Sequence, residues 1–350
     1  MSGGVDSSVA ALLLSRAGHD VVGIHLRTGV QGGSEAPGGR PRCCGADEAV
    51  DARRVCGRLG IPFYVQNTEG EFGTLIERFV DAYARGETPN PCVACNTDIK
   101  FGALLRRARA LGADAVATGH YARRLRYGDR WAIGRARDVR KDQSYVLFGL
   151  RQDELARARF PLGDLDKGEV RRLAREAGLP VADKPESQEI CFVPSGDYRD
   201  LVRQGRPDAF EPGEIVDEHG GVLGAHGGVG GFTVGQRKGL RLAAPDPLYV
   251  LRLDAEARRV VVGPRASLGV ATARVDDVRW SAIDPPRAPR AIGVSLRYRA
   301  SPVGARVEMT DGNTACLRFD APAWPVTPGQ AAVFYDGDVV LGGGRIKPAS

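Results

Sequence analysis

Apolar positions recur with a helical period through the first third of the chain, and short β-branched runs separate them. In "MSGGVDSSVAALLLSRAG", Val9, Ala10, Leu12, Leu13 and Leu14 give a predicted helix its apolar body, and Gly18 stands where a helix stops. "HDVVGIHL" follows as a strand. "DEAVDARRVCGRLG" reads as a helix ending at Gly60 and leads to the strand "IPFYV". "EFGTLIERFVDAYARG" places Phe72, Leu75, Ile76, Phe79, Val80 and Tyr83 on one helical face. "DIKFGALLRRARALG" is a further amphipathic helix, and "ADAVATGH" a strand with a polar tip. This alternation predicts a parallel sheet with helices on both faces and an active site at the strands' C-terminal ends.

The pattern then changes. Short helices such as "DKGEVRRLAREAG" occupy residues 150–185, and from about residue 205 Gly, Val and turn signals predominate, as in "DEHGGVLG" and "YDGDVVLGGG". Such spacing predicts β-structure in small barrels. The Gly/Pro-rich stretch 29–42 predicts a mobile loop. Internal repeats and coiled-coil heptads are absent from the sequence.

A length of 350 residues favours two or three domains. The apolar fraction of 43% fits an ordinary globular chain. Apolar runs fall well short of the roughly 18 residues that a membrane span needs. The N-terminal apolar stretch lacks a basic leader and contains Asp6, so it does not read as a signal peptide. A cytoplasmic protein without a membrane partner is the expectation. The net charge of +6, carried mostly by arginine, favours a polyanionic partner without requiring one. Seven cysteines, at 43, 44, 56, 92, 95, 191 and 316, argue in such a chain against a disulfide scaffold and for metal or redox chemistry.

Ser2-Gly3-Gly4-Val5-Asp6-Ser7-Ser8 has the character of a phosphate-gripping loop. Two glycines let the backbone approach an anion, serine hydroxyls can donate to it, and the following helix adds its partial positive charge. Asp6 could hold a Mg2+ ion that bridges phosphates. With no lysine after the second glycine, this is not the G-x-x-x-x-G-K-[ST] motif. A Ser/Asp/Gly cluster can also be a plain helix cap, but seven residues in this order exceed what a cap requires. "TPNPCVACNTDIKF" presents Cys92 and Cys95 in a loop leading into a helix, and "ESQEICFVPSGDY" presents Cys191. Thiolates at helix N-termini are nucleophiles. A C-x-x-C pair is equally half of a zinc or iron–sulfur site, which Cys43 and Cys44 could complete, although adjacent cysteines rarely serve one tetrahedral ion.

The opening loop resembles that of the ATP pyrophosphatases, which cleave ATP between its α and β phosphates and adenylate a carbonyl oxygen. The resemblance narrows with "TPNPCVACNTDIKF", "ATGHYAR", "KDQSYVLFGL", "SQEICFVPSGDY", "GFTVGQRKGL", "SLRYRASP" and "VTPGQAAVFYDGDVVLGGGRI". With the loop, these blocks stand in the order found in the tRNA-specific 2-thiouridylase family and span almost the whole chain. The resemblance implies an α/β fold in three parts. A parallel-sheet PP-loop domain would occupy residues 1–190, a small mostly-β domain 191–265, and a tRNA-contacting C-terminal β-barrel 266–350. It implies a monomeric enzyme that uses ATP and the sulfur of a cysteine persulfide to thiolate the wobble uridine of tRNAs for Lys, Glu and Gln. Its partners would be tRNA and a sulfur donor such as a cysteine desulfurase or sulfur relay protein, with Mg2+ accompanying ATP and no resident metal or prosthetic group.

Residue by residue, the resemblance implies that Cys95 is the nucleophile and Cys191 the persulfide carrier. Ser2, Gly3, Gly4, Val5, Asp6, Ser7, Ser8, Leu26 and Gly119 would bind ATP. Asn90, Pro91 and Cys92 would meet the target base. His120, Lys141, Asp142, Gln143, Arg297, Tyr298 and Gln330 would contact tRNA. The persulfide delivers sulfur to C2 directly or as hydrosulfide, and Cys95 and Cys191 end as a disulfide. Two departures stand out. Cys92 occupies a position where many members carry aspartate. A short hydrophobic strand is also expected ahead of Ser2, and a chain extended by it should be the more stable. Three other readings remain: an iron–sulfur-dependent tRNA thiolase, an ATP-dependent ligase with structural cysteines, and an RNA-binding protein with a decayed ATP site.

Overall fold

The computed structural model describes residues 1–29, 46–186, 190–193 and 196–348. The predicted loop at 29–42 therefore lies, beyond its first residue, outside the described residues, as do Cys43 and Cys44. The chain forms two compact units. One comprises Met1–Leu75, Cys92–Gly196 and Asp338–Val340; the other comprises Ile76–Pro91, Asp197–Gly337 and Leu341–Ser350.

In the first unit the opening apolar pattern becomes the helix Val5–Arg16, which ends before Gly18 at φ +81°. Val5, Val9, Ala10 and Leu12 of this helix pack with Val55, Tyr121, Leu162, Val170, Ala174, Leu179 and Val181. The strands Gly23–Arg27 and Phe63–Asn67 pair in parallel, with Gly23 opposite Phe63. Val116–Ala117 and Ala158–Arg159 form a second parallel pair. Among the described residues the expected parallel strands are thus present as two separate two-stranded sheets. The amine of Met1 donates to the carbonyl of Ile24, and the carbonyl of Met1 lies 3.0 Å from His25 Nδ1. The helices Ala46–Leu59 and Glu69–Ala84 fall where the periodicity places them. Of the predicted face on the latter, Phe72, Leu75, Phe79, Val80 and Tyr83 are buried and Ile76 is half-buried.

The second unit is mostly β. Gly213–Val216, Val222–His226, Tyr249–Asp254 and Arg259–Gly263 make a four-stranded sheet over Ile215, Val229, Leu240, Val250, Val260 and Val262. Six later strands run in the order Val270–Trp280, Thr314–Ala323, Val303–Asp311, Arg290–Ser295, Ala331–Asp336 and Val339–Ile346. The first and last of these pair antiparallel, Val275 opposite Ile346, and so close a barrel. Closure removes the unpaired edges that an open antiparallel sheet would present. No helix among the described residues is long and apolar enough to cross a membrane.

Candidate active site

Gly3 adopts φ +67°, and a Cβ on it would lie 2.4 Å from the carbonyl oxygen of Glu48, so only glycine fits this turn. Gly4 is the N-cap of Val5–Arg16 and brings no side chain to the cap. The N–H groups of the helix's first turn are thereby available to an external anion. The serines brace the loop from within. Ser2 N–H donates to Ser7 Oγ at 3.1 Å, while Ser7 Oγ and Ser8 Oγ donate to the Gly4 carbonyl at 3.2 and 2.8 Å. Gly119 follows the strand Val116–Ala117, and a Cβ there would lie 2.6 Å from both Asp6 C and Ser7 N. The strand end and the loop are therefore in direct backbone contact. Leu26 is half-buried on Gly23–Arg27.

Asp6 does not stand alone. Its carboxylate accepts from Lys167 Nζ at 2.7 and 2.9 Å and from the Tyr121 hydroxyl at 2.8 Å. Lys167 also pairs with Glu186 at 3.0 Å, and Glu186 pairs with Lys141 at 2.6 Å. Negative and positive groups thus alternate from the loop outwards: Asp6, Lys167, Glu186, Lys141. Burial works to raise the Glu186 carboxyl, but hydrogen bonds from the two ammonium groups outweigh it and hold it at about 2. Burial, followed by the neighbouring Asp6 carboxylate, pushes the Tyr121 phenol well above its ordinary range, so it acts as a donor.

Cys92 and Cys95 are not in a loop before a helix. The helix begins at Pro91, runs as Pro91–Ala94, widens into the π-helix Cys95–Ala103 and continues as Leu104–Ala110. Proline at the first helical position explains the early start, because its missing N–H costs nothing there. Cys92 is exposed in the first turn, and Cys95 is half-buried where the π-helix begins. Thr97 Oγ1 lies 3.1 and 3.3 Å from the carbonyls of Val93 and Ala94, and Asn96 Nδ2 donates to the carbonyl of Val146 at 3.1 Å. Cys191 is half-buried in a turn closed by Val193 N–H to the Ile190 carbonyl at 3.0 Å, and Phe192 and Val193 anchor that turn in the interior.

Residues expected to contact tRNA fall into two groups. His120 is buried, with its Nδ1 2.7 Å from Thr118 Oγ1, and burial followed by the charge of Lys100 lowers its pKa well below the usual imidazole value. Asp142 accepts from Ala136 N–H and Ser144 N–H at 3.0 and 3.1 Å. Gln143 Oε1 accepts from Tyr121 N–H at 2.9 Å, and Gln330 Nε2 donates to the Thr88 carbonyl at 2.7 Å. These side chains are engaged with the chain itself. Arg297, by contrast, is exposed beside half-buried Tyr298, and Arg299 lies over the Tyr298 ring at 5.2 Å. Asn90 is half-buried and Pro91 buried.

Three family profiles match the chain in succession. They are the tRNA methyl transferase HUP domain over residues 1–195, the tRNA methyl transferase PRC-barrel domain over 200–264, and the aminomethyltransferase beta-barrel domain over 270–346. The tRNA-specific 2-thiouridylase MnmA of Geobacter metallireducens is 52% identical over 353 residues, spanning 100% of this chain and 96% of that protein. The protein of the same name from Roseiflexus castenholzii is 48% identical over 364 residues, covering 99% and 97%. The chain belongs to the tRNA-specific 2-thiouridylase family.

Within this thiouridylase chain the sequence reading missed Tyr121, Lys167 and Glu186. A signal for Lys167 was available in "DKGE". Asp166 accepts from Glu169 N–H at 2.8 Å and Glu169 accepts from Asp166 N–H at 2.7 Å, a capping box that starts the helix Lys167–Glu176. A lysine in the first turn opposes the helix dipole and calls for nearby carboxylates. Asp6 and Glu186 are those carboxylates.

Proposed function

We propose that this protein converts the wobble uridine of tRNA to 2-thiouridine, using ATP and a cysteine-bound persulfide. The reading rests on one juxtaposition beside the full-length kinship: the open N-terminus of Val5–Arg16 and the charge ladder from Asp6 to Lys141 belong to the same compact unit as Cys95 and Cys191. Ser2, Gly3, Gly4, Val5, Asp6, Ser7, Ser8 and Gly119 hold the ATP phosphates, with Leu26 against the adenine. The donor set suits a polyphosphate better than a bare ion. Both Asp6 oxygens already bond to Lys167, so a Mg2+ ion arriving with ATP would draw on Asp6 only in competition with that lysine, and would there neutralise charge on the phosphates.

The uracil C2 oxygen attacks the α-phosphate, and pyrophosphate departs. The terminal sulfur of a Cys191 persulfide then bonds to C2, and AMP leaves with the former oxygen. The Cys95 thiolate attacks Cys191 Sγ, which breaks the S–S bond and leaves both its electrons on the sulfur bound to C2. The resulting Cys95–Cys191 disulfide takes two electrons from a thiol reductant. The base leaves the anticodon stack to reach the site, where Asn90, Pro91 and Cys92 receive it. Lys141, Asp142, Gln143, His120, Arg297, Tyr298 and Gln330 serve the tRNA side, directly or by holding the groups that do. A cysteine desulfurase or sulfur relay protein loads Cys191, and the enzyme works as a cytoplasmic monomer.

The test incubates an anticodon stem-loop of tRNA-Glu with the protein, Mg-ATP, a sulfur source and reductant, and analyses its nucleosides by mass. The expected product is 2-thiouridine, dependent on ATP and reduced at least a hundredfold in Cys191→Ser and Cys95→Ser, as loss of a covalent catalyst entails. A Cys191→Ser protein with full activity would support the ligase reading. Activity that requires an added iron–sulfur cluster would support the cluster-dependent one, and tRNA binding without ATP turnover the binding-protein reading.

A further inference from the structure

The second unit contains a close contact that the proposed chemistry leaves unexplained. The chain leaves the helix Glu69–Ala84 through Gly86, whose N–H bonds to the Tyr83 carbonyl, and Glu87, whose N–H bonds to the Ala82 carbonyl at 2.9 Å. The next residue, Thr88, has both backbone groups taken by one turn. Its N–H donates to the Pro328 carbonyl at 2.8 Å, and its carbonyl accepts from Gln330 Nε2 at 2.7 Å. Between these two residues stands Gly329, at φ +89°, where a Cβ would lie 2.8 Å from Thr88 N and 3.0 Å from Glu87 Cβ. The approach is therefore open only to glycine.

The turn is itself fixed to the barrel. Gly329 N–H donates to the Ile346 carbonyl at 2.9 Å, and Ile346 N–H returns a bond to the Gln330 carbonyl at 2.8 Å. The neighbours of Thr88 are also held. The buried Glu87 carboxylate lies 3.6 Å from Arg85 and 3.9 Å from Arg345, and Thr88 Oγ1 donates to Thr233 Oγ1 at 3.4 Å. Asn90 begins only two residues further on, a covalent reach of about 7 Å. A shift at Thr88 is therefore passed on to the segment that follows it.

We propose that the Thr-Pro-Gly-Gln turn at 327–330 clamps the segment 86–91 as a strap, and that Gln330 is a positioning residue that fixes Asn90 and Pro91 for the target base. Its amide acts on the reaction through the Thr88 carbonyl. The inference rests on the assignment of Asn90, Pro91 and Cys92 to the base.

The experiment compares wild type with Gln330→Ala and Gly329→Ala, the second of which keeps the glutamine but denies the turn its close approach. Three quantities are read: thiolation at saturating tRNA, tRNA affinity, and hydrogen exchange in peptides covering residues 86–95. Both variants should lower kcat roughly tenfold, since small misplacements of reacting groups are costly. Both should leave the tRNA Kd within about twofold, and exchange at 86–95 should rise about fivefold for the lost hydrogen bond, with the rest of the barrel unchanged. A raised Kd with unchanged kcat in Gln330→Ala, together with a silent Gly329→Ala, would show that Gln330 touches RNA directly and overturn the clamp. Unchanged exchange at 86–95 would overturn it as well. A wild type that makes no 2-thiouridine would defeat the functional reading alone, because the exchange measurement decides the clamp without turnover.

Discussion

Lys167 sits at the start of a helix, where a cation is electrostatically misplaced by a few tenths of a kcal/mol to about 1 kcal/mol. Its two carboxylate partners offset that cost, and one of them belongs to the loop proposed to hold ATP. Lys167→Met keeps the stem and removes the charge, so Asp6 and Glu186 lose their shared counter-ion. The expected result is an ATP KM raised roughly tenfold, equivalent to about 1.4 kcal/mol, with tRNA affinity little changed; an unaltered KM would show that the ladder has no part in ATP binding. Glu186 gives a pH test with a definite sign. Its carboxyl lies at about 2 in the fold against an ordinary 4.5, so its contribution is complete above 4.5 and is lost as the pH falls towards 2. Because the group is partly solvated, a contribution of roughly 0.5–1 kcal/mol is expected at pH 7. Urea midpoints should place Glu186→Gln below wild type at pH 7, and the gap should narrow steadily below pH 4.5. A constant gap would mean that the substitution acts through packing rather than charge.

At the level of elements, the site depends on a strand end pressed against the first turn of a helix. Gly119→Ala puts a methyl group 2.6 Å from Asp6 C and Ser7 N, where neither backbone can yield cheaply. Overpacking of this kind costs about 1–3 kcal/mol, and ATP binding should suffer more than tRNA binding; equal losses in both, or in neither, would count against the loop as the nucleotide site. The elements themselves were largely legible. The apolar face of Glu69–Ala84 follows from periodicity alone, because burial on one side of a helix leaves a period of 3.6 in the sequence. Val5–Arg16, by contrast, is buried along the contiguous run from Ser8 to Leu12 and shows in the sequence as an apolar stretch after a glycine-rich loop. The π-helix at Cys95 was not legible. An α and a π turn differ by one residue, and the contacts that accompany the wider turn here, Asn96 to Val146 and Thr97 to the carbonyls of Val93 and Ala94, include one reaching 50 residues away. For the same reason Asp142, Gln143 and Gln330 could be recognised as functional candidates while the partners of their side chains could not. Those partners are fixed by long-range packing, which carries no local signature.

Over the whole molecule, a net charge of +6 spread through an arginine-rich chain gives no partner by itself. What sharpens it is the division among the candidate tRNA residues. His120, Asp142, Gln143 and Gln330 are engaged internally, whereas Arg297 and Arg299 stand exposed on one turn held by Ser295 Oγ to the Ala300 carbonyl at 2.7 Å. Long-range attraction to the RNA backbone should therefore reside in such exposed guanidinium groups, while the internally bonded residues set geometry. These two roles separate in salt. Each phosphate contact adds about 0.7–0.9 to the slope of log affinity against log salt, so a stem-loop held by about three contacts loses roughly twenty- to fortyfold in affinity between 50 and 200 mM. Replacing Arg297 and Arg299 together by alanine should flatten that slope by up to about 1.8. Gln330→Ala should leave the slope as it is, because it removes no charge. Titrations at four salt concentrations separate these outcomes: a slope unchanged in the double variant would move the RNA surface away from this turn, and a slope altered in Gln330→Ala would mean that the turn at 327–330 shapes the charged surface as well as the strap.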